Sequence, residues 1–164
     1  MTIAATMRMM LDVVETLDVN TTSLAAANQT VTHNAYDLGT VASATTLSPA
    51  TMVVAFQQAL TGGTATIDLT SLTGTNGAVR DASGLKLQGL LLRNPSTNAN
   101  QILMEPGAAN GYDAFGASWQ VTLQPGQQAM YYGYDATPDV GASDLGLDMT
   151  GTASQALDVI MVFG

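Results

Sequence analysis

From residue 30 onward, apolar residues recur at every second position in short runs separated by Gly, Pro and Asn. A period of two places alternate side chains on opposite faces of a strand, so each run can bury one face and wet the other. Thr64–Thr70 shows the pattern plainly, with Ala65, Ile67 and Leu69 on one face. Gly62-Gly63, just before it, is a two-residue hairpin signal, since both positions tolerate positive φ. Leu85–Arg93, Asn100–Glu105, Trp119–Leu123, Ala129–Tyr134, Leu145–Met149 and Ala156–Phe163 follow as strands, with Thr30–Tyr36 and Thr51–Leu60 before them. Gln124-Pro125-Gly126-Gln127 has the Pro-Gly centre that a type II turn prefers. Residues 71–84 read as a glycine-bearing loop. About eight strands at short spacing, with no helix-length pattern between them, exclude a doubly wound parallel sheet. They predict an all-β chain built as an antiparallel β-sandwich, with a jelly roll as the preferred topology.

The first 28 residues differ. Ile3, Met7, Met10, Leu11, Val14 and Leu17 recur at steps of three and four, which predicts a short amphipathic helix over 2–17 with Thr2 as its cap. Such a segment packs on its own domain or serves as an arm on a neighbouring subunit; a strand over Leu11–Val19 is the third reading. Met7, Met10, Leu11 and Val14 are the candidate partner contact. Residues 20–28 are small and polar and read as a linker, which puts an N-terminal arm at 1–28 and the β-domain at 29–164.

Composition restricts function more than it assigns it. The 164 residues carry 4 Lys plus Arg against 13 Asp plus Glu, a net charge of -9. Four cations cannot neutralise a run of phosphates, so nucleic acid is excluded as a partner, and an anionic membrane with it. No cysteine is present, which removes disulfides, thiolate metal sites and cysteine nucleophiles. The start lacks a basic, then apolar, signal-peptide pattern, and no run is long enough to span a bilayer; the expected site of synthesis is the cytoplasm. The single histidine, His33, lies in an alternating run with Val31 and Ala35 on its own face and reads as a packed side chain. No phosphate loop and no Gly-x-Ser-x-Gly elbow occur.

Three groups of residues could carry chemistry. Asp135, Asp139, Asp144 and Asp148 alternate with Gly in a late loop; a solvated acidic loop is the plainer reading, and calcium at Asp135, Asp139 and Asp144 the sharper one. Glu105 with one of these aspartates would be the carboxylate pair of a glycosidase, which nothing else in the chain supports. Tyr112, Trp119 and Tyr131 could stack on sugar rings if their faces are exposed; the alternative is that they belong to the core.

Charged residues make up only 10% of the chain, and one lysine, Lys86, falls in an apparently central strand. Soluble β-proteins usually guard their sheet edges with lysine or proline. A charge-poor exterior of Thr, Ser, Asn, Gln and Ala, with nine methionines for adaptable contact, has the makings of an interface. Homo-oligomerisation or a partner lattice is therefore expected.

The stretch from Leu85 through the Arg93-Asn94 turn to Gly107, the step Trp119–Tyr134 across Gln124-Pro-Gly-Gln, and the closing Leu157–Gly164 strand together resemble small accessory virion proteins of tailed phages, of the head-decoration kind. The likeness covers roughly residues 64–164. It implies a β-sandwich, often trimeric, that binds a capsid lattice in the virion and has no catalytic residues. The rival expectation is a carbohydrate-binding or receptor-binding module of the fibre-tip type.

Overall fold

The computed structural model describes residues 4–17 and 29–43 as backbone strands, and 49–74, 77–133 and 135–164 with their side chains. The chain is all-β in these residues. It divides into two units, one of Thr6–Val41 and the other of Ala42–Gly164 with Met1–Ala5. The sequence reading placed its boundary after residue 28.

The smaller unit holds β1 (Ala4–Leu17) and β2 (Gln29–Ser43), paired as a two-stranded sheet. The helix expected over 2–17 is replaced by a strand. Residues Met9-Met10-Leu11 and Val13-Val14 satisfy a three-to-four spacing and a β-branched, apolar strand equally well, and short apolar runs do not separate the two by periodicity.

The larger unit is a β-sandwich-like pair of four-stranded antiparallel sheets. One runs β10 (Gln128–Tyr132), β7 (Leu87–Arg93), β12 (Ala156–Phe163), β3 (Met52–Ala59). The other runs β4 (Thr64–Asp68), β11 (Gly146–Thr150), β8 (Ile102–Pro106), β9 (Val121–Leu123). The 71–84 segment, expected as a loop, contains a small ribbon of β5 (Leu72–Thr73) and β6 (Val79–Arg80).

Alternation builds one core from both sheets. Val54, Leu90, Leu92, Leu157, Val159 and Met161 from the first meet Ile67, Ile102, Met104, Leu123, Leu147 and Met149 from the second in a single buried cluster. Burying each such side chain is worth about 1.5–3 kcal/mol. A register shift between Val162 and Phe163 skips Gln88, so that Val162 faces Gly89 and Phe163 faces Leu87. This bulge explains why Leu87 and Leu90 are both buried core residues although they are three apart in one strand. Leu87 and Leu91 therefore fall on opposite faces of one strand, with Leu91 on the outside.

The turns obey their residues. Gly62 and Gly63 have φ of 64° and 92°, with Thr61 and Thr64 exchanging backbone hydrogen bonds of 2.9 and 3.2 Å, the geometry a primed hairpin turn needs. Gly126 has φ 84° and Gln127 N–H donates to Gln124 C=O at 2.9 Å, as the type II reading required. No helix among the described residues is long and apolar enough to cross a membrane.

Candidate functional site

The two sheets have opposite outer faces. In the β10-β7-β12-β3 sheet the register aligns outward residues in three rows. The first reads Gln57, Asp158, Arg93, Gln128; the second Ala55, Ile160, Leu91, Met130; the third Val53, Val162, Gly89, Tyr132. Only the first row is polar. An antiparallel sheet with one wet face would show polar residues in all three. Ile160 is 40% exposed at the centre of the second row, and Val162 starts a separate apolar cluster with Ala50 and Val53 outside the main core. A depression of about 420 Å³ crosses this face, bordered by Ala55, Leu91, Ile160, Arg93 and Asp158. Beside it lies a second of about 490 Å³, which shares Arg93 and Asp158 and runs over Asn94–Thr97.

The charges on this sheet cancel. Its strands contain one cation, Arg93, and one anion, Asp158. Arg93 Nη2 lies 2.8 Å from Asp158 Oδ2, Arg93 Nε donates to the same oxygen at 2.8 Å, and Gln57 Nε2 donates to Oδ1 at 2.8 Å. The opposite sheet carries Asp68, Glu105 and Asp148 and no cation. Apart from Leu103 and Gly146, its outer rows are threonines and acids, with Asp148 directly across from Glu105. Like charges side by side are unfavourable. They are offset here by Thr66 Oγ1 and the Ala108 N–H donating to Asp148 at 2.6 and 2.8 Å, and by Gln120 Nε2 donating to Glu105 at 2.7 Å. One outer face is thus neutral and apolar, the other acidic and polar.

The residues singled out by sequence fall as follows. Tyr112 is fully buried; its hydroxyl donates to Pro138 C=O at 2.7 Å and accepts from Leu87 N–H at 3.1 Å. Burial raises its pKa, partly opposed by hydrogen bonds to Thr137 and Leu87. Trp119 is 8% exposed, with Nε1 donating to Tyr112 C=O at 3.1 Å. Phe115 lies between Trp119 and Tyr131, edge-on to each at centroid distances of 4.6 and 4.0 Å. The expected sugar platform of Tyr112, Trp119 and Tyr131 is corrected at Tyr112, which is enclosed in the core; Trp119 is largely buried and borders an open cleft, and Tyr131 is packed on Phe115.

The aspartates serve separate ends. Asp135 takes an ion pair of 3.0 Å from Lys86, and this hydrogen bond above all raises the Lys86 pKa. Asp139 forms a β-bridge with Lys86, and Asp144 accepts from Ser143 Oγ at 2.9 Å. Among the described residues no three His, Asp or Glu come together as a metal-binding group, so Asp135, Asp139 and Asp144 are not assembled into a ligand set. Glu105 and Asp113 border an open cleft of about 470 Å³ with Ser118, Trp119 and Gln120. Met7, Met10, Leu11 and Val14 lie in β1, and His33 in β2; their side chains fall outside the described residues.

Sequence reasoning missed the outer residues Val53, Ala55, Leu91 and Ile160. The signal was the loss of alternation in Met52–Phe56, Leu90–Leu92 and Val159–Phe163, since continuous apolar runs mark strands covered on both faces. No family model, characterised protein or solved structure matches this chain.

Proposed function

We propose that the chain is a non-enzymatic structural protein of a virion, a capsid decoration protein or another capsid component, that self-associates and binds a capsid lattice. The observation that carries the reading is the neutral, apolar outer face of the β10-β7-β12-β3 sheet on a chain of net charge -9. Isolated apolar side chains are ordinary on a surface, but a contiguous patch aligned across four strands calls for a cover. Lattice binding suits it: each copy contributes modest energy, and repetition over a symmetric shell multiplies the result.

The strand order supports the same reading. Counted in chain order from β3, the eight strands of the two sheets run 1-8-3-6 and 2-7-4-5. We read this as a jelly roll, the interleaving of two Greek keys that recurs in capsid and lectin domains. The fold alone does not choose between those two classes. Burial of Tyr112 weighs against the lectin-like alternative, because its ring is enclosed in the core.

Electron microscopy of the virion whose genome encodes the chain tests the proposal. The expected result is density for the β-sandwich repeated on the capsid, with the neutral sheet turned toward its neighbours and the acidic sheet toward solvent. Glycan binding by the purified protein, with no copy in the particle, would overturn it.

A further inference from the structure

We infer that the β3 edge is the contact through which two copies of this chain join, β3 to β3, into one continuous sheet; this rests on the self-associating reading above. Four strands end the two sheets: β10 with five residues, β9 with three, β4 with five and β3 with eight. Natural edges are kept short, or are protected by charge, proline or a bulge. β10 and β9 are short, and β4 ends on Asp68. β3 reads Met-Val-Val-Ala-Phe-Gln-Gln-Ala, with no charge, no proline and an unbroken register to β12.

The direction of its hydrogen bonds follows from the ladder. Leu60 N–H donates to Gln155 C=O at 2.8 Å, one step beyond the Ala59–Ala156 pair. Antiparallel pairs alternate between bonded and non-bonded. Met52, Val54, Phe56 and Gln58 therefore give their backbone groups to β12, and Val53, Ala55, Gln57 and Ala59 turn theirs to the open edge. Among the described residues no backbone group bonds to that edge.

Charge selects a second copy as the occupant. Two chains of net charge -9 repel over most approaches. The sheet that ends in β3 is the one whose charges cancel, so copies meet there without opposing acids. Antiparallel pairing about a two-fold axis is isologous and self-complementary. It also extends the apolar row of Ala55, Ile160 and Leu91 across both copies.

Ala55→Pro tests the contact. Proline removes an amide that points to the open edge and leaves the β12 ladder whole, and edge positions of this kind accept it. Sedimentation velocity and amide exchange are run on the full-length wild type and the variant from about 1 to about 100 μM, around the micromolar affinities typical of weak contacts. Expected is a wild-type dimer, or an assembly of dimers, whose Val53, Ala55 and Gln57 amides become protected as concentration rises, and an Ala55→Pro monomer with the wild-type Tm. An unchanged assembly in a folded Ala55→Pro variant overturns the β3 contact and spares the self-association reading. Protection of those amides at every concentration in a monomer assigns the edge to the chain's own N-terminal strands and overturns the second copy as occupant. A wild-type monomer with exchanging edge amides overturns both. If Ala55→Pro fails to fold, Ala55→Lys replaces it, with the same readouts.

Discussion

Tyr112 shows how one side chain can be claimed by function or by structure. Its hydroxyl links Leu87, at the head of β7, to Pro138 in the loop that follows β10, and its ring is enclosed. Tyr112→Phe leaves the Leu87 amide buried without its acceptor, which costs about 1–3 kcal/mol; chemical denaturation should show that loss with the slope unchanged. The raised pKa adds a pH dependence. The unfolded tyrosine ionises near pH ~10 while the folded one stays neutral. The contribution is therefore whole below that pH and is lost as pH rises through it toward the folded value. Wild type should lose this part of its stability in alkali, and Tyr112→Phe should not. The sequence placed Tyr112 in a long loop and Trp119 at the head of a strand, where aromatic rings suggest a ligand. The bonds of Tyr112 to Leu87 and Pro138 are long-range packing, which no local pattern reports.

Among the elements, the Asn94–Asn100 turn ties three strands together. Asn94 is buried; its Nδ2 donates to Leu123 C=O at 2.8 Å and Asn100 C=O at 3.1 Å, and its Oδ1 accepts from Asn98 at 2.6 Å. Gln155 also donates to Asn100 C=O, at 2.6 Å, and accepts from Thr152 N–H at 2.6 Å. Asn94→Ala removes three hydrogen bonds, the one to Leu123 C=O fully buried, and should cost about 1–3 kcal/mol, read as a lower denaturation midpoint. Alternation and turn residues made β3, β4 and β7–β12 legible, each within a few residues of its place, because one buried face writes itself into period two. Three features were illegible for physical reasons. The Met-rich N-terminus fits two periods. β5 and β6 are only two residues each, too short for any period. The bulge at Gln88 reverses the facing of Leu91 and depends on where Phe163 sits in the partner strand.

At the scale of the whole molecule, the larger unit is polarised, with Arg93 paired to Asp158 on one sheet and Asp68, Glu105 and Asp148 without a cation on the other. This sharpens the meaning of a 10% charged fraction. Few charges first suggested an interface without a location; their distribution gives it one. It also fixes the sign of a salt effect. Copies that meet through a neutral face while repelling elsewhere should associate more tightly as salt rises from about 0.05 to about 0.5 M, since added ions screen the repulsion. An interface built on ion pairs would weaken over the same range. Ile160 stands at the centre of the apolar row, outside the core, so a charge there should spare the fold. Sedimentation velocity of wild type beside Ile160→Asp, at matched micromolar concentrations with Tm recorded for both, is the most direct test of this account. It predicts a wild type that assembles and an Ile160→Asp of nearly unchanged Tm that assembles no further than the β3-paired dimer; a compact wild-type monomer at every concentration would contradict it.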